Sequence, residues 1–255
     1  MKGGQEHVIL SEAKNLVGWR ASPAGRDVEE ASESLRARLL DVYQRLLVAY
    51  GRQHWWPGDT PFEVIAGAVL TQSAAWSNVE KALGNLKAAG ILSPEGIRRT
   101  PEADLARLVY PSGYYNAKAR KLKAFAALLF DRFGGRLDAM LAAPVDELRP
   151  LLLAAHGIGP ETADSILLYA AGRPVFVIDA YTRRLLDRLG IAPTHDTYDA
   201  WQRLFMDALP ADAALFNEYH ALTVRHSKET CRREPLCAAC PLLAVCPTGT
   251  TVVGR

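Results

Sequence analysis

The chain has 255 residues, carries 30 lysines and arginines against 28 acidic residues, and is 49% hydrophobic. This composition is typical of a globular protein with one large or two small domains and excludes wholesale disorder. The net charge of +2 does not by itself indicate a nucleic-acid partner. No apolar run reaches the roughly 20 residues that a membrane helix needs, and the charged N-terminal segment does not resemble a signal peptide. We therefore expect a soluble cytoplasmic protein with no membrane partner.

The predicted elements are almost all helices. We expect residues 1–30 to form a loose leader, because they combine glycine, proline and mixed charges and show no sustained hydrophobic period. From Leu35 to about Gly51, apolar residues recur three or four apart and predict a helix. The same spacing predicts further helices at 62–70, 79–88, 102–109, 117–133, 145–155, 161–171, 181–189 and 198–209. The strand-like run 175–178 is too short and isolated to build a sheet, so the predicted fold class is all-α.

A Gly-x-Gly turn between two of these helices is the most informative motif. Gly157 and Gly159 allow a tight turn and a close approach of the backbone to a ligand. Pro160 suits the first position of the following helix, where no acceptor exists for an amide proton. Free amides at such a helix start can bind an anion such as a DNA phosphate. By itself, however, the motif is equally typical of a plain helical hairpin.

The continuation of the motif is more specific. The turn Gly157–Ala163 is followed by Ile178–Tyr181 and then by Arg184. In these residues, in Pro61–Glu63 and Gly113–Ala119, and in a C-terminal cysteine cluster, the sequence resembles the endonuclease III branch of the helix-hairpin-helix DNA glycosylase superfamily. The resemblance covers residues 35–248 in the family's order.

The resemblance implies an all-α, two-domain helix-hairpin-helix glycosylase fold with a DNA cleft between the domains. Residues 54–173 would form a six-helix barrel that includes the hairpin. Residues 31–53 and 174–250 would form a second domain with a C-terminal [4Fe–4S] cluster loop. The partner implied is damaged double-stranded DNA, bound by a monomer that associates with the nucleoid.

The residue types at the hairpin indicate which chemistry is available. Family members that also cleave the DNA strand use a hairpin lysine, whose amine attacks the sugar C1′. By the motif register that position is Glu161, and no lysine occurs between Lys123 and Lys228. Since a carboxylate cannot form an imine, we expect no AP lyase activity.

Asp179 is the candidate catalytic residue. A carboxylate near the sugar can stabilise the oxocarbenium-like state of glycosidic cleavage and orient water. The alternative is that Asp179 only caps the helix that begins at Ala180, which is a common position for aspartate.

Trp55, Trp56 and Trp76 are candidates for a base pocket, with core packing as the alternative. An alkylated purine such as 3-methyladenine is cationic and pairs poorly, so it is easily extruded and attracted to indole faces. This segment resembles that of the endonuclease-III-like 3-methyladenine DNA glycosylases. The resemblance implies that Trp56 and Trp76 hold the base between them, while Gln72 or Ser73 probes the gap left in the duplex.

Four cysteines follow the spacing Cys-x5-Cys-x2-Cys-x5-Cys: Cys231, Cys237, Cys240 and Cys246. Four thiolates at these intervals suit a [4Fe–4S] cluster or a tetrahedral zinc ion, and spacing alone separates the two poorly. The resemblance favours iron–sulfur, although its relatives have six residues in the first gap and the alkyladenine branch can lack the cluster.

Lys118 begins the densest basic stretch, which is either a solvated helix face or a track for the phosphate backbone. The resemblance implies further DNA contacts by Gly157, Gly159, Thr162 and Arg184.

The predicted function is a monofunctional glycosylase of base excision repair that hydrolyses 3-methyladenine-type purines from duplex DNA. The alternatives are a bifunctional endonuclease III-type glycosylase and lyase, a mismatch or oxidised-base glycosylase, and a non-catalytic module that binds damaged DNA.

Overall fold

The structure, a computed structural model, describes residues 23–254, and the side chains of residues 33–254. The described residues are mostly helical and contain no strand, which confirms the all-α prediction. None of their helices is both long and apolar enough to cross a membrane. In chain order the helices are α1 (Pro23–Tyr50), α2 (Pro61–Leu70), α3 (Trp76–Ala88), α4 (Pro94–Arg99), α5 (Glu102–Leu108), α6 (Tyr115–Phe133), α7 (Leu137–Ala142), α8 (Val145–Ala154), α9 (Pro160–Ser165), α10 (Ala180–Arg188), α11 (Tyr198–Met206), α12 (Ala213–Glu229) and α13 (Pro247–Val253).

The first helix is longer than the sequence predicts. It begins at Pro23, so residues 23–30 are helical and do not belong to a loose leader; residues 1–22 lie outside the described residues. Proline is tolerated in the first turn of a helix, and the alanine, arginine and glutamate residues that follow are good helix formers. The second half of α1 packs against α12.

Four helices were not predicted from hydrophobic spacing: α4, α7, α12 and α13. Three of them have only six or seven residues, too few for a period to be recognised. The fourth, α12, has 17 residues but buries polar side chains, among them Glu218, His220 and His226, which interrupt its apolar pattern.

The helix predicted over 161–171 is divided in two. It consists of α9 and a π-helical turn over Ile166–Ala170. Single π-helical turns are frequent at functional sites because they shift the direction of the side chains that follow. Here the turn carries Ile166 and Leu167 into one hydrophobic core and Leu168 into another.

The first of these cores lies between α2, α3, α5, α6, α8 and α9, with Ile65 and Phe125 among its fully buried residues. The second lies between α1, α10, α11 and α12, around Phe176 and Phe216. The buried segment 175–178 has no regular secondary structure, and it leads directly to Asp179. The start of α10 therefore lies where the two cores meet.

A buried ion pair fixes the hairpin helices. Asp164 is fully buried and accepts hydrogen bonds from the Arg149 guanidinium at 2.7 and 3.1 Å. It also accepts from the Gln202 amide at 2.8 Å, and the same amide donates to the carbonyl of Phe176 at 2.7 Å. These bonds hold α8, α9, α11 and the segment before Asp179 together.

Candidate functional site

Asp179 caps α10 and still keeps one oxygen available. Its Oδ1 accepts a hydrogen bond from the Thr182 backbone N–H at 2.7 Å and another from the Thr182 hydroxyl at 2.8 Å. Its Oδ2 lies 3.6 Å from Nε2 of His220, and its side chain is 13% exposed. The capping role and a catalytic role therefore do not exclude each other, because the cap fixes the carboxylate at an accessible position.

A second carboxylate, Glu161, lies in the first turn of α9. Loss of hydration and the negative charge of Asp179 raise the pKa of Glu161 to about 7, while Arg183 acts in the opposite direction. Glu161 is exposed at the surface, so solvent screens these influences in part.

A buried polar cluster lies behind Asp179. The Tyr169 hydroxyl is 2.5 Å from Nδ1 of His220. Burial lowers the pKa of His220 although the charge of Asp179 opposes this, so the imidazole is neutral at pH 7. Sequence reasoning missed both Tyr169 and His220, because nothing in their local sequence marks them and they are 51 positions apart.

The three tryptophans form one aromatic cluster. The ring centroids lie 4.9 Å apart for Trp55 and Trp56 and 5.3 Å apart for Trp55 and Trp76. Trp56 and Trp76 meet edge to face at 5.3 Å with an angle of 86° between their planes. These two rings are in contact, so a base held between them, as the sequence predicts, has to separate them. The three rings form a single wall.

The position of Trp56 depends on a glycine and a tyrosine. A Cβ atom at Gly67 of α2 would lie 3.1 Å from the Trp56 ring, so a larger residue there would displace the indole. On its other side Trp56 packs against the Tyr169 ring, with 5.2 Å between the centroids. The aromatic wall thus connects directly to the polar cluster behind Asp179.

Gln72 is bound to the hairpin. Its side-chain amide donates to the Thr162 hydroxyl at 2.7 Å and to the Gly157 carbonyl at 3.3 Å, while Lys121 donates to its Oε1. The predicted DNA contact Thr162 is buried, so its side chain serves this internal bond. Ser73, by contrast, is exposed and has a left-handed backbone with φ of 52°. Of these two candidates for the gap in the duplex, Ser73 is thus the one whose side chain is free.

The hairpin turn needs glycine at its first position. Gly157 has φ of 78°, and a Cβ atom there would lie 2.5 Å from the Lys121 side chain. Gly157 and Gly159 are both exposed, and α9 follows directly. The turn therefore presents backbone at the surface, as the sequence motif predicts for an anion site.

Lys118 was predicted to contact DNA, and the structure contradicts this. Lys118 is 1% exposed, and its Nζ donates to the Ser112 carbonyl at 2.5 Å. Burial and the neighbouring charge of Lys121 lower the pKa of Lys118 to about 8. The residue lies four positions before the buried Leu122, on the inward face of α6, so the basic stretch is divided between two faces.

Arg184 was also predicted to contact DNA, but it holds the C-terminal loop. Its guanidinium donates to the carbonyls of Cys231 and Ser227, both at 3.1 Å. One turn later, Arg188 donates to the carbonyls of Arg232 and Arg233 and lies 3.2 Å from the Cys231 sulfur. These arginines fasten the loop to α10.

The four cysteines converge on one pocket, which is also lined by Leu185, His226 and Leu242. None of them forms a disulfide. Burial and the neighbouring thiols raise the pKa of both Cys237 and Cys240, which reflects how close the sulfur atoms lie. Within residues 23–254, no set of three side chains already has metal-ligand geometry. The donor set, four thiols around an apolar pocket, fits a group that binds through sulfur.

Comparison with known proteins identifies the family. A family model described as HhH-GPD superfamily base excision DNA repair protein matches residues 66–211. A protein of Methanocaldococcus jannaschii named as a DNA repair glycosylase is 43% identical over 207 residues, which cover 80% of this chain and 94% of that one. The chain belongs to the HhH-GPD superfamily. The resemblance inferred from the hairpin motif is thereby confirmed.

Other HhH-GPD proteins are similar in sequence or fold. Endonuclease III of Sulfolobus acidocaldarius is 28% identical over 187 residues, covering 72% of this chain and 81% of that protein. The 3-methyladenine DNA glycosylase of H. pylori, solved with 1,N6-ethenoadenine, is 30% identical with a TM-score of 0.66, covering 78% of this chain and 97% of that one. Endonuclease III in a non-covalent DNA complex shares the fold, with a TM-score of 0.74 at 22% identity over 86% of this chain and 99% of that one.

Proposed function

We propose that this HhH-GPD protein is a monofunctional DNA glycosylase that hydrolyses alkylated purines of the 3-methyladenine type from duplex DNA. The observation that carries the proposal is the position of Asp179, which accepts hydrogen bonds from Thr182 and is accessible beside an aromatic wall. Glu161 at the hairpin supports hydrolysis without strand cleavage. The similarity to the H. pylori 3-methyladenine DNA glycosylase supports the substrate class.

In the proposed reaction Asp179 acts on the sugar of the extruded nucleotide. Its carboxylate stabilises the positive charge that develops on the sugar as the bond between C1′ and the base nitrogen breaks. The bonding electrons stay with the base, which carried a positive charge and leaves as a neutral molecule. Water then adds to C1′ and loses its proton to Asp179 or solvent, so an abasic sugar remains and the strand stays intact.

The aromatic wall supplies selectivity for a cationic base. Trp55, Trp56 and Trp76 present indole rings, whose faces attract positive charge more strongly than other aromatic rings do. Trp56 and Trp76 touch each other, so a base that enters between them must separate the two rings, whereas a base that stacks on one face of the wall need not. Alkylation also weakens base pairing, which lowers the cost of extrusion.

The DNA backbone contacts the exposed hairpin turn. Gly157 and Gly159 offer backbone amides before α9, and a phosphate is the matching ligand. The similarity to the Methanocaldococcus jannaschii protein named as a DNA repair glycosylase supports DNA as the partner. We expect the protein to act on this DNA as a monomer.

We further infer that the four cysteines hold a [4Fe–4S] cluster, with zinc as the alternative. The ligands would be Cys231, Cys237, Cys240 and Cys246. When bound, such a cluster links four points of the loop through iron–thiolate bonds. Arg184 and Arg188 fix the loop backbone to α10, whose other end carries Asp179. A brown protein with visible absorption supports the cluster, whereas stoichiometric zinc without colour contradicts it.

A panel of duplexes with defined lesions tests the proposed function. We expect release of free 3-methyladenine, and a strand that breaks at the abasic site only after alkali treatment. A protein that binds these duplexes but releases no base from any of them would be a binding module. Release of oxidised pyrimidines without alkylated purines would favour the endonuclease III-type alternative.

Borohydride trapping separates hydrolysis from lyase chemistry. Since Glu161 cannot form an imine, we expect no covalent capture of the protein on lesion-containing DNA. Endonuclease III is the matched positive control. Efficient capture of this chain would contradict the monofunctional mechanism.

A further inference from the structure

The two oxygens of Asp179 have different surroundings. Thr182 occupies Oδ1 with two hydrogen bonds, whereas Oδ2 faces Nε2 of His220 at 3.6 Å. The His220 side chain is 8% exposed, and its Nε2 has no hydrogen-bond partner among the described residues. A buried nitrogen of this kind is costly unless it serves the group that it faces.

The direction of each hydrogen bond behind Asp179 follows from its donors. The Tyr169 O–H needs an acceptor, and Nδ1 of His220 is the hydrogen-bond partner of the Tyr169 oxygen among the described residues. The Tyr169 O–H therefore donates to Nδ1 of His220, 2.5 Å away. A neutral imidazole that accepts at Nδ1 carries its proton on Nε2. That proton points toward Oδ2 of Asp179.

We propose that Tyr169 and His220 form a directional hydrogen-bond relay that leads from the aromatic wall to Asp179, with His220 as a positioning residue for the carboxylate. The role of Asp179 itself rests on the proposed function. The separation of 3.6 Å exceeds hydrogen-bond length, and a ring shift of roughly 0.5 Å brings the two atoms into range. Since Trp56 packs on Tyr169, a base pressed against the wall reaches the same relay.

The relay predicts how Asp179 responds to pH. The titratable and charged groups that face Asp179 are Glu161 from α9, Tyr169 from the π-helical turn and His220 from α12, and Arg183 on its own helix acts on Glu161. The charge of Glu161 disfavours an ionised Asp179, whereas an N–H directed at Oδ2 favours it. Loss of the His220 donor therefore removes a contact that favours the charged carboxylate.

The test measures base release in a single turnover as a function of pH. We expect His220→Leu, which removes the donor, to lower the rate about tenfold at neutral pH. We also expect it to move the acidic limb of the profile upward by about half a pH unit. His220→Gln keeps an N–H near the same place and should recover most of both effects. Tyr169→Phe should give an intermediate result, because the imidazole proton is no longer confined to Nε2.

The matched control is Tyr219→Phe. Tyr219 precedes His220 on α12, and its hydroxyl donates to the Leu39 carbonyl at 2.8 Å, away from Asp179. This variant also loses a buried tyrosine hydrogen bond, so a general disturbance of α12 would affect it as well. We expect its pH profile to match that of the wild type. An acidic limb that is unchanged in His220→Leu, or moved equally in Tyr219→Phe, would overturn the relay.

A spectroscopic measurement keeps the relay testable apart from the proposed function. The carboxyl carbon signal of Asp179, assigned by its loss in Asp179→Asn, is followed by 13C NMR during a pH titration. Its midpoint should lie higher in Tyr169→Phe, and higher still in His220→Leu, than in the wild type. If the wild type releases no alkylated purine, the proposed function fails while this titration still decides the relay. Identical midpoints in the three proteins would contradict it.

Discussion

The two ends of α10 carry regions that are stabilised in different ways. At its start lies the hairpin edge, residues 157–165, where Asp164 and Thr162 find their partners inside the protein. At its end lies the cysteine loop, residues 231–246, whose backbone is bound by arginines but whose four thiols converge on one pocket. These polar side chains of the hairpin edge therefore need no partner from outside the chain. The cysteine loop has the chemistry of a region completed by an added group.

The largest effect is expected when Arg149 loses its internal partner at the hairpin edge. Asp164→Asn leaves the Arg149 charge without its buried counterion, and the free energy of unfolding should fall by about 3–5 kcal/mol. Urea denaturation measures it. The matched control is Asp199→Asn, because Asp199 is 69% exposed and lies 3.7 Å from the same guanidinium, where its loss should cost less than about 1 kcal/mol. Equal losses would show that the hairpin edge does not depend on this pair.

The next effect concerns the cysteine loop. Arg188→Ala removes the donor beside the Cys231 sulfur and the bonds to two loop carbonyls, and retention of the proposed metal should fall by about 10–100-fold. Loss of visible absorption during chelator treatment measures this. Arg183→Ala is the control on the same helix, because Arg183 pairs at 2.8 Å with Asp196, which is 80% exposed. Equal metal retention in the two variants would contradict the proposed difference between the two ends of α10.

A smaller effect is expected at the aromatic wall. Trp76→Ala removes one indole face, and excision of a cationic purine should slow by roughly 3–30-fold, in line with about 0.5–2 kcal/mol for a cation–π contact. Excision of a neutral purine lesion should change less, because only the cation gains from the ring quadrupole. Trp76→Phe should fall between the two. Equal losses for cationic and neutral bases would contradict recognition of the base by its positive charge.

The smallest expected effect is a pH dependence of the protein's stability that Glu161 causes. The pKa of Glu161 rises from 4.5 to about 7 in the folded protein, so the folded state binds more protons than the unfolded state within this window. The stabilisation is present below pH 4.5 and is lost as the pH rises through about 7. Thermal unfolding from pH 5 to 8 should therefore show a decline in the wild type that Glu161→Gln lacks. Parallel pH curves would contradict a perturbed Glu161.

The sequence predicted the fold class and most helices because their apolar residues recur at helical spacing. It failed at α12, where the buried His220 and His226 look like surface residues in the pattern. For Lys118 and Arg184, residue type and motif position could not tell whether the side chain points inward, since that depends on packing. Tyr169 and His220 could not be predicted because only the tertiary fold brings them together.

Single-turnover release of 3-methyladenine by the wild type and by Asp179→Asn tests the central claim most directly. Asparagine still caps a helix, so α10 and DNA binding should be preserved. The neutral amide cannot stabilise the charge on the sugar, and we expect the rate to fall by about 10²–10³-fold at unchanged DNA affinity. A rate equal to that of the wild type would contradict the assignment of Asp179 as the catalytic carboxylate.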